Sequence, residues 1–463
     1  MATRRTTTTH ATSSPAARRR RAVTAGALLP LALGLASTQL PSQRPAAQAP
    51  AAKAAVTVAA PTCGGPNLPP CPTPSPLLQK SRPVTWWFVF KFNSKAFPGC
   101  AGDAKVECPF GGDAQSYKNS SQQYVFASSD SPTLQQGNGC AGDTTNDPIG
   151  ATFDEIYHGS YHYVVWNDQF YDDPEIRGCS ESCGGPWGHS KGIVAWNDIG
   201  EGVVMQVSTP SWPAAGSASS PRKSDGNTLG CVKDNDVQVS QHFFALKLNK
   251  DDLVQVLKAL QNASVVTDPS NPQIVNNGGP ADVQALVASL GVKSTSADVL
   301  TAKLSSGIEL ISKPSQLHVP PWQMISALLG GIPLRTATWW ASPEIPPTTA
   351  SSPVPAGWSS TLGKPGPVDI ATTGHWSGKE FGLKGGLGTD FNHAKLGVST
   401  STNDHYAIFG DMNQQGTLSG PNCASSQNGR GGTFYVVSNP LLQTSITALI
   451  AGASATQEPS DNK

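Results

Sequence analysis

Gly188-His189-Ser190-Lys191-Gly192 opens an apolar stretch that ends at Val207-Ser208-Thr209-Pro210. Asn392-His393-Ala394-Lys395-Leu396 opens a second stretch, which ends at Gly410-Asp411-Met412-Asn413. The separation from His to Ser is 19 residues in the first copy, and from His to Asp 18 in the second. Each copy reads as His-x-Lys on a strand, a second strand beside it, and a polar residue at that strand's end. Residues i and i+2 of a strand point to one face, so His-x-Lys aims an imidazole and an ammonium into the same space. That pair suits phosphate chemistry: the ammonium neutralises oxygens while the imidazole attacks phosphorus or moves a proton. Two copies related by a pseudo-two-fold axis would place imidazoles on opposite sides of one phosphorus, one to attack and one to protonate the leaving oxygen. Neither step needs a metal or a cofactor. A single His-x-Lys would be a chance solvent-facing pair; the matched repeat is what carries the reading.

Working outward, Trp86 to Phe92 is aromatic and β-branched and reads as a strand. Tyr161 to Asp168 reads as another, and Lys191–Asp198 with Gly202–Thr209 as a hairpin. His242–Leu248 continues the series. Helical periodicity predicts helices over Asp251–Asn262, Ala281–Leu290 and Ala297–Ile311. Further strands are expected over Thr336–Ala341, Lys395–Ser399, Tyr406–Phe409 and Thr433–Ser438, with a helix over 440–452. Residues 94–150 and 342–390 read as loop-rich. The fold class is α/β: two pseudo-symmetric lobes with mixed β-sheets flanked by helices, in one chain.

The 463 residues include 46 Gly and 39 Pro, yet 11 Trp, 14 Phe and 8 Tyr supply a core, and only 14% are charged. That composition excludes full disorder. The formal net charge of +0 hides an asymmetry. Residues 1–60 hold eight of the 32 Lys and Arg and no acid, leaving 24 basic against 32 acidic residues in the remainder. A basic coat for binding nucleic acid by charge alone is absent, so any polyanion must be handled locally or at low pH.

Arg18-Arg19-Arg20-Arg21 followed by the apolar residues 22–38 reads as a secretory signal peptide. The apolar run is short for a membrane span, which needs roughly 20 residues. No stable membrane insertion is expected once it is removed, and a secreted, periplasmic or lysosome-like location follows. The expected organisation is a signal (1–38), an Ala/Pro-rich leader (39–83), a first lobe with the first motif (84–248), a helical or loop connecting region (249–335), a second lobe with the second motif (336–452) and a polar tail (453–463). Nine cysteines all lie after the signal and fit an oxidising compartment. Cys100 with Cys108, and Cys179 with Cys183, are close enough for local staples, though spacing does not fix connectivity.

Trp87-Phe88-Val89-Phe90-Lys91, Trp166-Asn167-Asp168-Gln169, the first motif with Ser208-Thr209-Pro210-Ser211-Trp212-Pro213, Thr228-Leu229-Gly230-Cys231, the second motif, and Arg430-Gly431-Gly432-Thr433 occur in that order. In these segments the chain resembles the deoxyribonuclease II family, whose members have a phospholipase D-like fold. The resemblance implies an endonuclease that cuts DNA without a divalent metal, best at acidic pH, leaving 3′-phosphate ends. It implies catalytic roles for His189, Lys191, His393 and Lys395, with Asp411 and Asn413 in support; Ser208 joins them from the internal repeat. A phospholipase D proper has an Asp five residues after each motif Lys, where this chain has Trp196 and Thr400. The rival readings are another phospholipase D-like phosphodiesterase and a secreted DNA-binding protein on a degenerate nuclease scaffold. Trp87, Trp166 and Trp212 read as core groups before base-stacking platforms, and the remaining histidines as surface or core groups.

Overall fold

The computed structural model describes residues 63–64, 68–171, 173–176, 179, 182–350, 358–416 and 426–456. The signal, most of the leader, the end of the tail and Cys423 lie outside the described residues. The fold is mixed α/β. Eight strands form the first sheet: β1 (Trp86–Lys91), β2 (Tyr124–Ser128), β3 (Gln135–Gln136), β4 (His162–Asn167), β5 (Lys191–Trp196), β6 (Gly202–Val207), β7 (Gln241–Leu248) and β8 (Val275–Asn276). Their order is β3-β2-β1-β7-β6-β5-β4-β8, antiparallel throughout. The second sheet uses β9 (Leu300–Lys303), β10 (Glu309–Lys313), β11 (Leu334–Ala337) and β12 (Val368–Ile370). After a separate hairpin, β13 (Thr373–Trp376) and β14 (Lys379–Gly382), it adds β15 (Leu396–Ser399), β16 (Tyr406–Gly410) and β17 (Gly432–Ser438). Its order is β12-β11-β15-β16-β17-β10-β9, with β11–β12 its parallel pair. The run β1-β7-β6-β5-β4 in one sheet is repeated as β10-β17-β16-β15-β11 in the other.

An aromatic column joins the sheets. Phe409 of β16 stacks between Phe88 of β1 and Phe244 of β7, with ring centroids 4.4 and 4.7 Å away, and Tyr435 of β17 follows Phe244 at 5.3 Å. Covered on both faces, β1, β5 and β6 are buried along their whole length and show no polar alternation. The helices are α1 (Pro148–His158), α2 (Lys250–Asn262), α3 (Ala281–Ala288), α4 (Pro321–Leu328) and α5 (Pro440–Leu449). Of the helices that follow each sheet's repeat, α5 after β17 packs back on β15 and β16 of its own sheet, whereas α2 after β7 lies chiefly against β10 of the second sheet, with β6 and β7 beside it. Asn249 caps α2 in a capping box with Asp252, so the helix starts at Lys250, one residue ahead of the Asp251 start read from sequence.

The expected helix over 297–311 is instead the β9–β10 hairpin. Leu300, Leu304, Ile308 and Ile311 have helical spacing, but Ser305-Ser306-Gly307 turns the chain, with Gly307 at φ +83°. The Asp252 carboxylate of α2 accepts from the backbone N–H and the hydroxyl of Ser305, fixing that turn. The loop-rich expectation for 94–150 missed β2 and α1. Asp147 caps α1 by accepting from Ile149 and Gly150, and Pro148 fills its first position. Four disulfides lie among the described residues: Cys63–Cys71, Cys100–Cys140, Cys108–Cys231 and Cys179–Cys183. Cys100 and Cys108 are not partners. The loop of Cys108 is tied to that of Cys231 through Phe110 and Thr228, while Ala101 bridges to Gly139 beside Cys140.

The repeat extends to buried lysines. At the end of β1, Lys91 donates to the carbonyls of Phe92, Val237 and Val239. At the end of β10, Lys313 donates to those of Pro314, Asn428 and Arg430. Each amine nails down the loop that enters the neighbouring strand, and burial pushes both down to about 7. Lys91→Met and Lys313→Met would each strand three carbonyls, so each is expected to destabilise the fold by on the order of 3 kcal/mol in urea unfolding. Unchanged midpoints would show that the carbonyls find other partners.

Candidate active site

Both histidines stand just ahead of their strands rather than on them. His189 precedes β5 by two residues, and Lys395 directly precedes β15. The reason is that their backbones pair across the repeat. His189 N–H donates to the Gly431 carbonyl at the entry to β17, and His393 N–H to the Ser240 carbonyl at the entry to β7, each at 2.8 Å. Each half therefore positions the other half's histidine. The two side chains line one cleft of about 220 Å³ with Ser208, Lys395 and Asn413. Asp168, Gln169, Tyr171, Asp236, Trp339, Gln427 and Arg430 complete most of the wall. A larger hollow of about 880 Å³ shares Tyr171 with it but is lined by Asp173, Glu175, Lys223 and neighbours, with no histidine and none of the motif residues. The motif histidines thus share the smaller cleft.

His189 has a defined tautomer. Its Nδ1 lies 2.7 Å from the Asp411 carbonyl, which can only accept, so Nδ1 carries the proton and Nε2 keeps its lone pair. Burial first, then the Lys191 charge, hold this imidazole well below the usual histidine range. His393 is depressed in the same way by burial and Lys395. Its Nε2 has no protein partner, its Nδ1 stands 3.7 Å from an Asp236 carboxylate oxygen, and the Trp339 ring meets it edge-on at 4.4 Å between centroids.

The two lysines differ. Lys191 does not line the cleft; its amine turns 2.6 Å to the carboxylate of Asp168. Arg430 takes the other oxygen of Asp168 at 2.7 Å. The same guanidinium donates to the carbonyls of Cys183, Trp187 and Gly188, fixing the loop that leads into His189. Burial alone would raise Asp168, but Lys191 and Arg430 outweigh it and hold the carboxyl well below the usual carboxylate range. Lys395 faces the cleft without a carboxylate bonded to it; its amine donates to the His393 carbonyl. Burial and the Lys191 charge lower it to about 7.

Of the remaining expected residues, Ser208 lies at the cleft with its hydroxyl tied to Gln241 and the His242 N–H. Asn413 lines it with a side-chain oxygen that has no protein partner. Asp411 does not line the cleft. Its carboxylate accepts from Thr433 N–H, Thr433 Oγ1 and Gln206 Nε2, so its contact with the chemistry runs through its carbonyl to His189. Burial pushes it up to about 6. Trp87, Trp166 and Trp212 are fully buried core groups. Sequence reasoning passed over Asp236, Trp339 and Gln427, and left Asp168 and Arg430 out of the site although it quoted their segments. His242, read as an ordinary surface or core group, accepts the Lys395 N–H on Nδ1 at 3.1 Å.

The sequence profile of the family described as Deoxyribonuclease II matches residues 75–455. No curated protein sequence matches the chain. Among solved structures, a mutant of yeast tyrosyl-DNA phosphodiesterase 1 is similar with 10% identity and a TM-score of 0.30, covering 63% of this chain and 86% of its own. A likeness that loose carries no argument about this protein.

Removing the acid between Lys191 and Arg430 leaves two buried cations unpaired. Asp168→Asn is expected to cost about 3–5 kcal/mol in denaturant unfolding. With its folded value depressed, the stability contributed by Asp168 is present above the ordinary carboxylate range and lost only as pH falls through the far lower folded value. The loss on substitution should therefore be as large at pH 5 as at pH 7; a loss confined to pH 7 would refute the clamp.

Proposed function

The chain belongs to the deoxyribonuclease II family and is a hydrolytic nuclease with DNA as its substrate; from that premise we propose that it is a secreted, metal-independent endodeoxyribonuclease that leaves 3′-phosphate ends through a two-histidine mechanism with an acid-side optimum. The observation that carries this reading is the meeting of His189 and His393, from opposite halves of the repeat, in one cleft with Lys395 and Asn413. His189 Nε2, kept unprotonated by the Asp411 carbonyl on Nδ1, attacks phosphorus. The bond from phosphorus to the 5′-oxygen breaks, and that oxygen takes its proton from His393. Water then attacks the phosphohistidine, giving its proton to His393 and releasing the 3′-phosphate and free His189. The Lys395 ammonium and the side-chain N–H of Asn413 hold the charge on the phosphoryl oxygens. Lys191, turned to Asp168, acts on the cleft through space as a positive charge behind it.

The acid side follows from signs. Both imidazoles sit well below the usual histidine range, so the general acid charges only at low pH or once an anionic phosphate sits beside it. Lys395 gains its proton below about 7, and Asp236 loses its charge below about 6. Every step makes the cleft more positive as pH falls. Secretion is supported by the four disulfides, which fit an oxidising compartment, and by the signal read from sequence. Among the described residues, no helix is long and apolar enough to cross a membrane.

The test is plasmid cleavage from pH 4 to 8 in excess EDTA, beside His189→Ala and His393→Ala. The expected result is cleavage that survives EDTA, peaks below pH 7 and falls by at least about 10³-fold in each variant. EDTA-sensitive cleavage that persists in the variants would sink the two-histidine mechanism. Folded protein that binds DNA but never cuts it would favour the binding-protein reading.

A further inference from the structure

Asp236 is an acid in the wrong place for a site that must take a phosphate. It lines the cleft, with an oxygen 3.7 Å from His393 Nδ1 and about a quarter of its side chain exposed. It is held there firmly. Asp236 is in the left-handed region at φ +48°, its carbonyl accepts from Val239 N–H, and Lys91 clamps the carbonyls of the next residue, Val237, and of Val239. The repeat shows what stands at the matching place. Lys313 clamps Asn428 and Arg430 as Lys91 clamps Val237 and Val239. The residue before each pair is Asp236 in one half and Gln427 in the other, and both line the cleft. One half presents a neutral amide, whose oxygen accepts from Asn413 N–H; the other presents a carboxyl.

The groups that face Asp236 come from several elements. His393 and Lys395 approach from the entry to β15, Lys191 from β5, Lys91 from β1, Tyr171 from the loop after β4, and Asp234 from its own loop. Of these lysines, Lys395 faces the cleft and would meet a bound phosphodiester, while Lys91, tied to backbone carbonyls, and Lys191, paired with Asp168, act on Asp236 through space. We infer that Asp236 is the residue that sets the pH range of the cleft: ionised, it takes the electrostatic place of the substrate phosphate beside His393 and Lys395; protonated, it yields that place. The inference rests on the nuclease reading above. Burial, followed by the Asp234 charge, pushes the Asp236 carboxyl up to about 6, so the exchange falls in the acid range. Asp411 is raised alike, but its carboxylate is committed to Thr433 and Gln206 and does not reach the cleft.

The test is Asp236→Asn, which keeps the side-chain shape and tolerates a left-handed backbone. Steady-state cleavage of an oligonucleotide is expected to show kcat and KM at pH 5 within about twofold of wild type, while KM at pH 7.5 drops by at least about fivefold, one nearby charge being removed. The alkaline limb of kcat/KM then moves up in pH. A loss of kcat of similar size at every pH would overturn the inference and make Asp236 a positioning residue for His393. A second readout does not need turnover: binding of a dinucleoside monophosphate, singly negative throughout, to His189→Ala with and without Asp236→Asn. Binding that weakens more steeply between pH 5 and 7.5 when Asp236 is present than in Asp236→Asn, where Lys395 still titrates, supports the gate, even if wild type proves to cut nothing. Equal pH dependence in both proteins refutes it, even if wild type is a nuclease.

Discussion

A carboxylate that lies 1% exposed, Asp168, holds cations from two distant parts of the chain, Lys191 at the start of β5 and Arg430 ahead of β17. Burying charges is costly, and the cost is offset only when geometry is good and the remaining donors are satisfied. Here they are satisfied by a purpose: the donors of Arg430 left over from Asp168 go to the carbonyls of the loop that delivers His189. Without Asp168, Lys191 would stand as a further unpaired cation beside a desolvated imidazole. The clamp fixes the loop that delivers His189, while burial first, and then the Lys191 charge, keep its imidazole neutral.

The halves of the repeat are interleaved rather than merely adjacent. Each lends a carbonyl to the other's histidine, and each has a buried lysine that fixes the loop from which the loan is made. The cleft sits where these exchanges cross. The symmetry then fails at the cleft. Asn167 faces Lys191 across the β4–β5 ladder, and the next residue is Asp168. Ala337 faces Leu396 in the second half, so Thr338 comes opposite Lys395, and the next residue is Trp339. One lysine is paired with an acid and the other has no carboxylate bonded to it; one histidine has a carbonyl on its Nδ1 and the other stands beside an indole edge and a carboxyl. A reaction with an attacking group and a proton donor needs two different environments, and a duplicated fold acquires them by changing a few residues at matched positions.

The repeat was legible because it is local: His-x-Lys and the polar residue 18 or 19 positions later sit on one hairpin. Strand periodicity and the cap of α2 are local as well. What was not legible depends on partners far away in sequence. Nothing around Asp168 announces Arg430, 262 residues on, and nothing around His393 announces Asp236. The apolar spacing of 297–311 fits a helix as well as a hairpin, and the choice was made by Asp252 holding Ser305 from another element. By contrast, Asp147-Pro148 ahead of α1 is a helix start that the sequence does display.

The acidic excess of the body outside residues 1–60 sets a problem that the cleft answers locally. A polyanion approaching such a surface at neutral pH is repelled, and screening at physiological salt limits that repulsion to about 8 Å. Within that range the deciding charges are those lining the cleft. Lys395, lowered to about 7, and Asp236, raised to about 6, both titrate toward a more positive cleft as pH falls. The Asp168 clamp, held far below that range, stays ionised and keeps the framework in place. Groups that change charge in the acid range are thus separated from the group that must not, and the separation comes from pairing: Asp168 has two cations in contact, while Asp236 has burial and an acid neighbour to keep its proton on.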